Sequence, residues 1–238
     1  MSENGSAIVL GVGPGLGAAL ARRFAKAGFS LCVAARSRDK VDAATADLRA
    51  AGATALGVVA DATDEQSVVD LVAKTEDELG PLGVAIYNAG GFAFKSILDL
   101  TEEDMVESWR RSCLGGFFLG REAARRMTPR GQGTILLTGA TAGARGSAKF
   151  AAFAVGKFGL RALSQSMARE LGPLGVHVAY VNIDGGIDSE RTRERAKGKP
   201  ADALLSPDAI AETYYQLHAQ HRSAWSLEVD VRPWVEKF

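Results

Sequence analysis

Short apolar runs alternate along this chain with longer amphipathic stretches, and this alternation restricts the fold more than any other sequence feature. The short runs predict strands at 7–10, 31–35, 56–59, 84–87, 134–138, 176–181 and 227–231. The stretches between them predict helices at 15–27, 38–51, 63–80, 101–128, 151–171 and 206–221. Parallel strands joined by helices cross over with one hand, so the pattern predicts a doubly wound α/β sheet.

No linker, internal repeat or low-complexity segment divides the 238 residues. We therefore expect one domain over residues 1–238, with a mostly parallel seven-stranded sheet and helices on both faces. Hydrophobic residues make up 47% of the chain, enough for a core on each side of a sheet. Residues 184–204 are rich in charge, glycine and serine and predict a loop.

The balance of charge argues against several classes of partner. Lys and Arg together number 28, as do Asp and Glu, so no basic excess attracts nucleic acid or anionic lipid. The N-terminus lacks the pattern of a secretion signal, and no apolar stretch is long enough to span a membrane. Cys32 and Cys113 lie in apolar segments and are expected to be free thiols. These features predict a cytoplasmic protein that binds small molecules.

The turn after the first predicted strand is rich in glycine and reads Gly11-Val-Gly13-Pro-Gly15-Leu16-Gly17. Glycines at such a turn allow a tight bend, close approach of a pyrophosphate and close packing of helix on strand. The pyrophosphate then lies at the helix N-terminus, where free amides and the helix dipole favour an anion. A flexible turn is the alternative, but the position between a strand and a helix favours a Rossmann-type dinucleotide site.

The end of the second predicted strand indicates which dinucleotide binds. It reads Val33-Ala-Ala-Arg36-Ser-Arg38 and carries no carboxylate, whereas NAD-binding proteins usually place one there for the ribose hydroxyls. Arg36 can form paired hydrogen bonds with a 2′-phosphate and stack beside the adenine. An ordinary surface arginine is the alternative. The sequence therefore predicts NADP(H), with NAD as the weaker candidate.

At this point the motifs resemble the short-chain dehydrogenase/reductase family over essentially the whole chain. The spacing Gly11-x3-Gly15-x-Gly17 is similar to the family's glycine motif, with Leu10 in place of the usual Thr. Later segments resemble those that contact the adenine, stabilise the sheet beside the cofactor, bind the ribose and face the nicotinamide carboxamide. The resemblance implies further cofactor contacts from Asp61, Ala62, Asn88, Ala89, Gly90, Lys157, Ile187 and Ser189.

The family's active site resembles a proton relay of Asn, Ser, Tyr and Lys. Tyr is the acid/base, Ser holds the substrate oxygen, and Lys binds the ribose and lowers the Tyr pKa. The matching positions here are Ser112, Ala140 and Phe153, and only Lys157 is retained. The family's Pro-Gly after the sixth strand reads Asp184-Gly185. Because phenylalanine neither donates nor accepts a proton, the site lacks the acid of ordinary alcohol–carbonyl interconversion.

Neighbouring groups could substitute for the missing acid. Thr138 and Thr141 lie near a strand end and could hydrogen-bond a substrate oxygen, and Lys157 could act if desolvated, although ribose binding is its expected role. The tyrosines are expected to be packing residues: Tyr87, Tyr180, Tyr214 and Tyr215. The charged run 190–199 falls where the family carries a mobile substrate lid, and a solvated loop is an equal alternative.

A metal site is not expected. His218 and His221 are three residues apart on the last predicted helix, but no Cys or carboxylate cluster accompanies them. We expect both to be solvated histidines near a helix end.

Two functions fit these observations. The first is an atypical NADP(H)-dependent oxidoreductase that acts on a small molecule, for example an activated carbon–carbon double bond, an imine or a quinone. The second is a non-catalytic NADP(H)-binding sensor or assembly partner. In either case we expect a homo-dimer or homo-tetramer, because the family's equivalents of helices 101–128 and 151–171 pack as a four-helix bundle between subunits.

Overall fold

The computed structural model describes residues 5–236, whose strands form a single seven-stranded sheet in the order β3-β2-β1-β4-β5-β6-β7. The strands are β1 Ser6–Leu10, β2 Ser30–Ala35, β3 Ala55–Val59, β4 Leu82–Tyr87, β5 Gly133–Thr138, β6 Val176–Ile183 and β7 Glu228–Val231. Every neighbouring pair is parallel, so the sheet is wholly rather than mostly parallel. The prediction of a doubly wound seven-stranded α/β fold is confirmed.

Helices cover both faces of this sheet. They are α1 Leu16–Lys26, α2 Arg38–Ala50, α3 Glu65–Leu79, α4 Glu102–Trp109, α5 Gly115–Met127, α6 Ala151–Leu171, α7 Glu190–Arg195 and α8 Pro207–His218. Alternate residues of β1 point to opposite faces, so Ala7 and Val9 join a core with α1, α2 and α8. Ile8 and Leu10 join a second core with α3, α5 and α6. The strand order reverses direction between β1 and β4, which opens a crevice at the carboxyl ends of the strands.

The helix predicted at 101–128 is interrupted. A π-helical turn over Arg110–Leu114 separates α4 from α5. Inside the turn the Arg111 carbonyl accepts a hydrogen bond of 2.5 Å from the Tyr87 hydroxyl. Hydrophobic periodicity continues through this segment, so the sequence did not reveal the wider turn, which is a feature often found at functional sites.

Three boundaries differ from the predictions. The expected loop at 184–204 contains α7, whose first turn is capped by the Ser189 side chain. The N-cap of α3 is Asp64, since the neighbouring Thr63 bonds through its amide and hydroxyl to Asp61. Helix α8 ends at His218 rather than near His221. All three differences arise because the spacing of apolar residues reveals neither local side-chain hydrogen bonds nor short helical segments.

The expectation of two solvated histidines is wrong for His218. Its Nδ1 lies 2.9 Å from the Thr134 hydroxyl, and its ring packs edge-on against Phe29 with centroids 5.2 Å apart. Burial lowers the His218 pKa to about 4.

Cys32 and Cys113 are free and buried. Of the helices in residues 5–236, none is both long and apolar enough to span a membrane.

Candidate cofactor and substrate site

The glycine turn lies between β1 and α1, and two of its glycines are required by close backbone contacts. Gly11 has φ +105°, and a Cβ there would lie 2.5 Å from the Ala89 amide nitrogen. A Cβ on Gly17 would lie 2.8 Å from the Gly11 carbonyl oxygen. Gly13 and Gly15 have open space where a Cβ would stand. Helix α1 begins without a side-chain cap. Its Ala18 amide donates to the Gly13 carbonyl at 3.0 Å, so the Leu16 and Gly17 amides are the ones at this helix end that can bind an anion.

A cavity of about 300 Å³ opens beside this turn at the carboxyl ends of β1, β2, β3 and β4. Seven of the residues assigned to the cofactor from the sequence line it: Gly11, Arg36, Asp61, Ala62, Asn88, Ala89 and Gly90. Asn88 also ties the site together, because its side-chain amide donates to the Gly11 carbonyl at 3.0 Å. The cavity lies at the reversal of strand order, where doubly wound sheets bind their ligands.

Asp61 is an organising residue of this cavity. One of its carboxylate oxygens accepts hydrogen bonds from the Thr63 amide and hydroxyl, each at 2.8 Å. Desolvation raises the Asp61 pKa, but these bonds and the positive charges of Arg36 and Arg111 outweigh it, and the net pKa is lowered. Asp61 is therefore an anion at neutral pH that fixes the loop after β3.

Two further cations line the cavity, Lys40 and Arg111, and the sequence reasoning missed both. Lys40 is the third residue of α2, and its place in the first helical turn after Arg36 could have revealed it. Arg111 lies in the π-helical turn, where its Nη2 is 2.9 Å from the Glu107 carboxylate. Its Nε is buried and has no hydrogen-bond partner within residues 5–236. The cavity is thus lined by three cations, Arg36, Lys40 and Arg111.

Lys157 lies on α6 and is 4% exposed. Its ammonium donates to the Thr138 carbonyl at 2.7 Å, and burial lowers its pKa to about 8. The Phe153 ring lies one turn earlier, with its centroid 5.9 Å from the Lys157 nitrogen. A phenol at position 153 would lie beside this ammonium, but the phenylalanine ring offers no proton. Ala140 lies directly after β5 and likewise offers no hydroxyl.

Ser112 has a structural role in this fold. Its hydroxyl accepts from the Gly91 amide at 3.1 Å, while the Ser108 hydroxyl donates to the Gly91 carbonyl at 2.8 Å. A Cβ on Gly156 would lie 2.7 Å from the Ser112 Cβ, so α6 packs directly on this point. The two serines hold the chain that leaves β4, immediately after Gly90.

The Thr138 hydroxyl, which from the sequence could hydrogen-bond a substrate oxygen, has a partner inside the protein. Its hydroxyl oxygen accepts from the buried Tyr214 hydroxyl at 2.7 Å, and burial raises the Tyr214 pKa. Tyr180 is also buried, and burial raises its pKa to about 12. Thr141 opens a 3-10 turn after β5 and is partly exposed. The packing role expected for Tyr180 and Tyr214 matches their burial.

Four phenylalanines form one side of the opening near Lys157, and we call Phe92, Phe94, Phe150 and Phe153 the phenylalanine wall. Phe92 contacts Phe153 and Phe150 with centroids 5.6 and 5.7 Å apart, and Phe94 contacts Phe150 at 5.0 Å. Phe92 and Phe94 remain 58% and 54% exposed. The Lys95 amide also donates to the Lys149 carbonyl, which ties the loop after β4 to the loop after β5. The sequence reasoning identified only Phe153 of this set.

The segment after β6 lies at another side of the opening near Lys157. Because Thr138 of β5 pairs with Val181 of β6, the segment starts at the same sheet edge as Ala140. Ile187 pairs with Leu205 in a parallel bridge, and Ser189 caps α7.

No group of three or more potential metal ligands occurs among the residues that the structure describes.

Comparison with known proteins places this architecture in a family. A sequence profile of the short chain dehydrogenases matches residues 6–200. A short-chain dehydrogenase structure from Rhodopseudomonas palustris is 38% identical, with a TM-score of 0.85 over 98% of this chain and 100% of that one. A metagenomic short-chain oxidoreductase in complex with NADP is 26% identical, with a TM-score of 0.84 over 98% of each chain.

Among curated relatives, the cyclic-di-GMP-binding biofilm dispersal mediator protein of Escherichia coli is 34% identical over 204 residues, which are 85% of this chain and 81% of the relative. The family profile covers most of the sheet, and the similar structures cover nearly the whole chain. The chain therefore belongs to the short-chain dehydrogenase/reductase family of oxidoreductases.

Proposed function

We propose that this protein is an atypical NADP(H)-dependent oxidoreductase that reduces acceptors other than simple ketones and aldehydes. The observation that supports the proposal is a cavity lined by seven of the residues assigned to the cofactor, combined with a relay that retains only Lys157. Gly11, Asn88 and Asp61 build the crevice through backbone contacts and short hydrogen bonds. Phe153 and Ala140 meanwhile supply neither an acid nor a hydroxyl.

The preference for NADP(H) is supported by charge at the adenosine end. Arg36 and Lys40 line the cavity beyond β2, and Ser37 lines it between them. No carboxylate follows β2 at the position where one would bind ribose hydroxyls and repel a 2′-phosphate. The similar structure that contains NADP is consistent with this choice.

The reaction follows from the missing acid. When bound, NADPH supplies a hydride. An activated carbon–carbon double bond accepts the hydride at carbon, and the resulting enolate takes its proton from water, so a phenol is not required. Imines and quinones can likewise accept a hydride without a proton from a phenol side chain. Lys157 would hold the ribose hydroxyls, and the phenylalanine wall would exclude water from one side of the acceptor.

The experiment is a comparison of NADPH consumption with four acceptors, monitored by absorbance. Cyclohexenone, a cyclic imine and a benzoquinone are the expected substrates, and cyclohexanone is the control. We expect turnover with at least one of the first three that exceeds turnover of cyclohexanone at least tenfold. Robust reduction of cyclohexanone by the unmodified protein would contradict the assignment.

We also propose a homo-dimer or homo-tetramer. Helices α4 and α6 pack against each other and leave apolar side chains exposed on their outer faces: Val106, Trp109, Val155 and Phe158. A second copy of this surface related by a two-fold axis would bury these side chains.

A non-catalytic binding protein is the second candidate, and the replaced relay favours it. The Escherichia coli relative is named for ligand binding rather than for a reaction. If this second candidate is right, NADPH should bind in a titration but should not be consumed with any of the acceptors. Competition between NADPH and cyclic di-GMP for the crevice would support it further.

A further inference from the structure

Asp184 is a buried carboxylate at the carboxyl end of β6, where the family motif noted above has a proline. Its side chain is 6% exposed, and its amide donates to the Val231 carbonyl at 2.8 Å. Two arginines flank it. Arg145 Nη2 lies 3.9 Å from Oδ1, and Arg232 Nη2 lies 3.4 Å from Oδ2. Oδ1 has no hydrogen-bond partner among the described residues.

Asp184, Arg145 and Arg232 together carry one net positive charge at the carboxyl end of β6. A buried carboxylate is costly unless cations compensate it, so Asp184 draws both guanidinium groups toward the end of β6. At 3.9 Å, the contact between Arg145 and Asp184 is an ion pair and is too long for a hydrogen bond. The Arg145 side chain is 44% exposed. Its planar N–H donors are therefore held in place without being used by Asp184.

Arg145 lies on the loop that begins at Ala140, the former serine position of the relay. The Arg145 amide donates to the Thr141 carbonyl at the end of the 3-10 turn, which fixes the start of the side chain. Further along the same loop, Phe150 contacts Phe92 and Phe94 of the phenylalanine wall. One loop thus carries a positioned cation at one end and an apolar surface at the other.

We infer that Arg145 binds a carboxylate of the substrate, so that the substrate is an apolar ring or chain that carries a carboxylate group. A guanidinium pairs with a carboxylate through two parallel hydrogen bonds, and Arg145 has this fork available. The phenylalanine wall takes the apolar part. This inference rests on the proposed function, because it names the substrate class of that same site.

The other cations near this opening are less suited to the carboxylate. Lys95 pairs with Asp104 at 2.6 Å, and Arg193 pairs with Asp188 at 2.6 Å. The Lys149 ammonium lies over the Phe94 ring, 5.6 Å from its centroid. Arg145, by contrast, keeps its paired N–H donors for one carboxylate.

The test measures binding and does not require turnover. Cinnamate and its neutral analogue cinnamamide are titrated by calorimetry into the NADP⁺-saturated protein. We expect cinnamate to bind at least about tenfold more tightly, the order expected of a charge-assisted hydrogen bond. Arg145→Met should remove this difference, and Arg145→Lys, which keeps the charge but loses the fork, should retain part of it.

Arg126→Met is the matched control, because the Arg126 side chain is 42% exposed and pairs with Glu76 at 3.5 Å on another part of the surface. It should leave the preference for cinnamate unchanged. Equal affinity for cinnamate and cinnamamide in the unmodified protein would overturn the inference, as would a preference that survives in Arg145→Met. If the preference depends on Arg145 but no acceptor consumes NADPH, the inference stands and the proposed reaction fails.

Discussion

The double substitution Phe153→Tyr with Ala140→Ser should raise carbonyl reductase activity well above that of the unmodified protein. It adds a phenol and a hydroxyl near Lys157, beside the proposed cofactor crevice. General acid–base catalysis contributes about 10² to 10⁴ in rate, which is the scale of gain available. The assay is NADPH consumption with benzaldehyde or cyclohexanone.

The geometry gives the acidity of the introduced phenol. The Lys157 nitrogen lies 5.9 Å from the Phe153 ring centroid. If the oxygen of an introduced phenolate is about 6 Å from this nitrogen, the two charges interact by about 3 kcal/mol at an effective dielectric constant of about 20. That energy lowers a phenol pKa by about two units, from about 10 to about 8. Lys157 must be protonated for this effect, and its own pKa is about 8. The new activity should therefore be strongest near neutral pH and decline above about pH 8.

The gain should stay below that of a member with the full relay. Ser112 is engaged with the Gly91 amide and cannot replace an asparagine side chain. Phe153→Tyr alone and Ala140→Ser alone are the controls, and each should give a smaller gain than the pair. If the double variant binds NADPH normally but shows no more carbonyl reduction than the unmodified protein, the replaced relay residues are not what limits carbonyl reduction, and the reasoning is refuted.

Three further outcomes are expected. The unmodified protein should bind NADPH more tightly than NADH in fluorescence titrations and Arg36→Asp should reverse that order, whereas equal affinities before substitution would contradict the cofactor assignment. Lys157→Met should raise the free energy of unfolding at pH 7 by up to about 3 kcal/mol, because burial lowers the Lys157 pKa from 10.5 to about 8 and the unfolded state then binds more protons. This advantage should shrink as pH rises from about 8 to 10.5, which urea unfolding at several pH values would show, and a pH-independent difference would exclude the linkage. Light scattering should give a dimeric or tetrameric mass that Phe158→Glu reduces, and a monomeric mass at micromolar concentration would refute the proposed interface.

The fold was predictable because its signals are local. Each strand is a short apolar run. Gly17 is required where α1 packs closely on the end of β1, and Gly11 is required where the same turn meets the chain after β4. Asn88 was recognised by its motif, and its bond to the Gly11 carbonyl supplies the physical reason. Seven of the residues that the sequence assigns to the cofactor accordingly line one cavity.

The missed residues depend on long-range geometry. Arg111 enters the cavity because of a π-helical turn, which hydrophobic spacing does not reveal. Asp184 was noted as a departure from the family motif, but its pairing with Arg145 joins positions far apart in sequence. The phenylalanine wall likewise combines two loops whose approach is fixed by backbone bonds such as that between Lys95 and Lys149.

The π-helical turn also joins the two halves of the site. Arg111 lines the adenosine cavity, and the next residue, Ser112, holds Gly91, which precedes Phe92 of the phenylalanine wall. A ligand that shifts the Arg111 side chain therefore acts on an element that also positions the wall. Such shared elements give a coupling free energy between two ligands, and the coupling is reciprocal. We expect the affinities for cofactor and acceptor to change by the same factor when the other ligand is present.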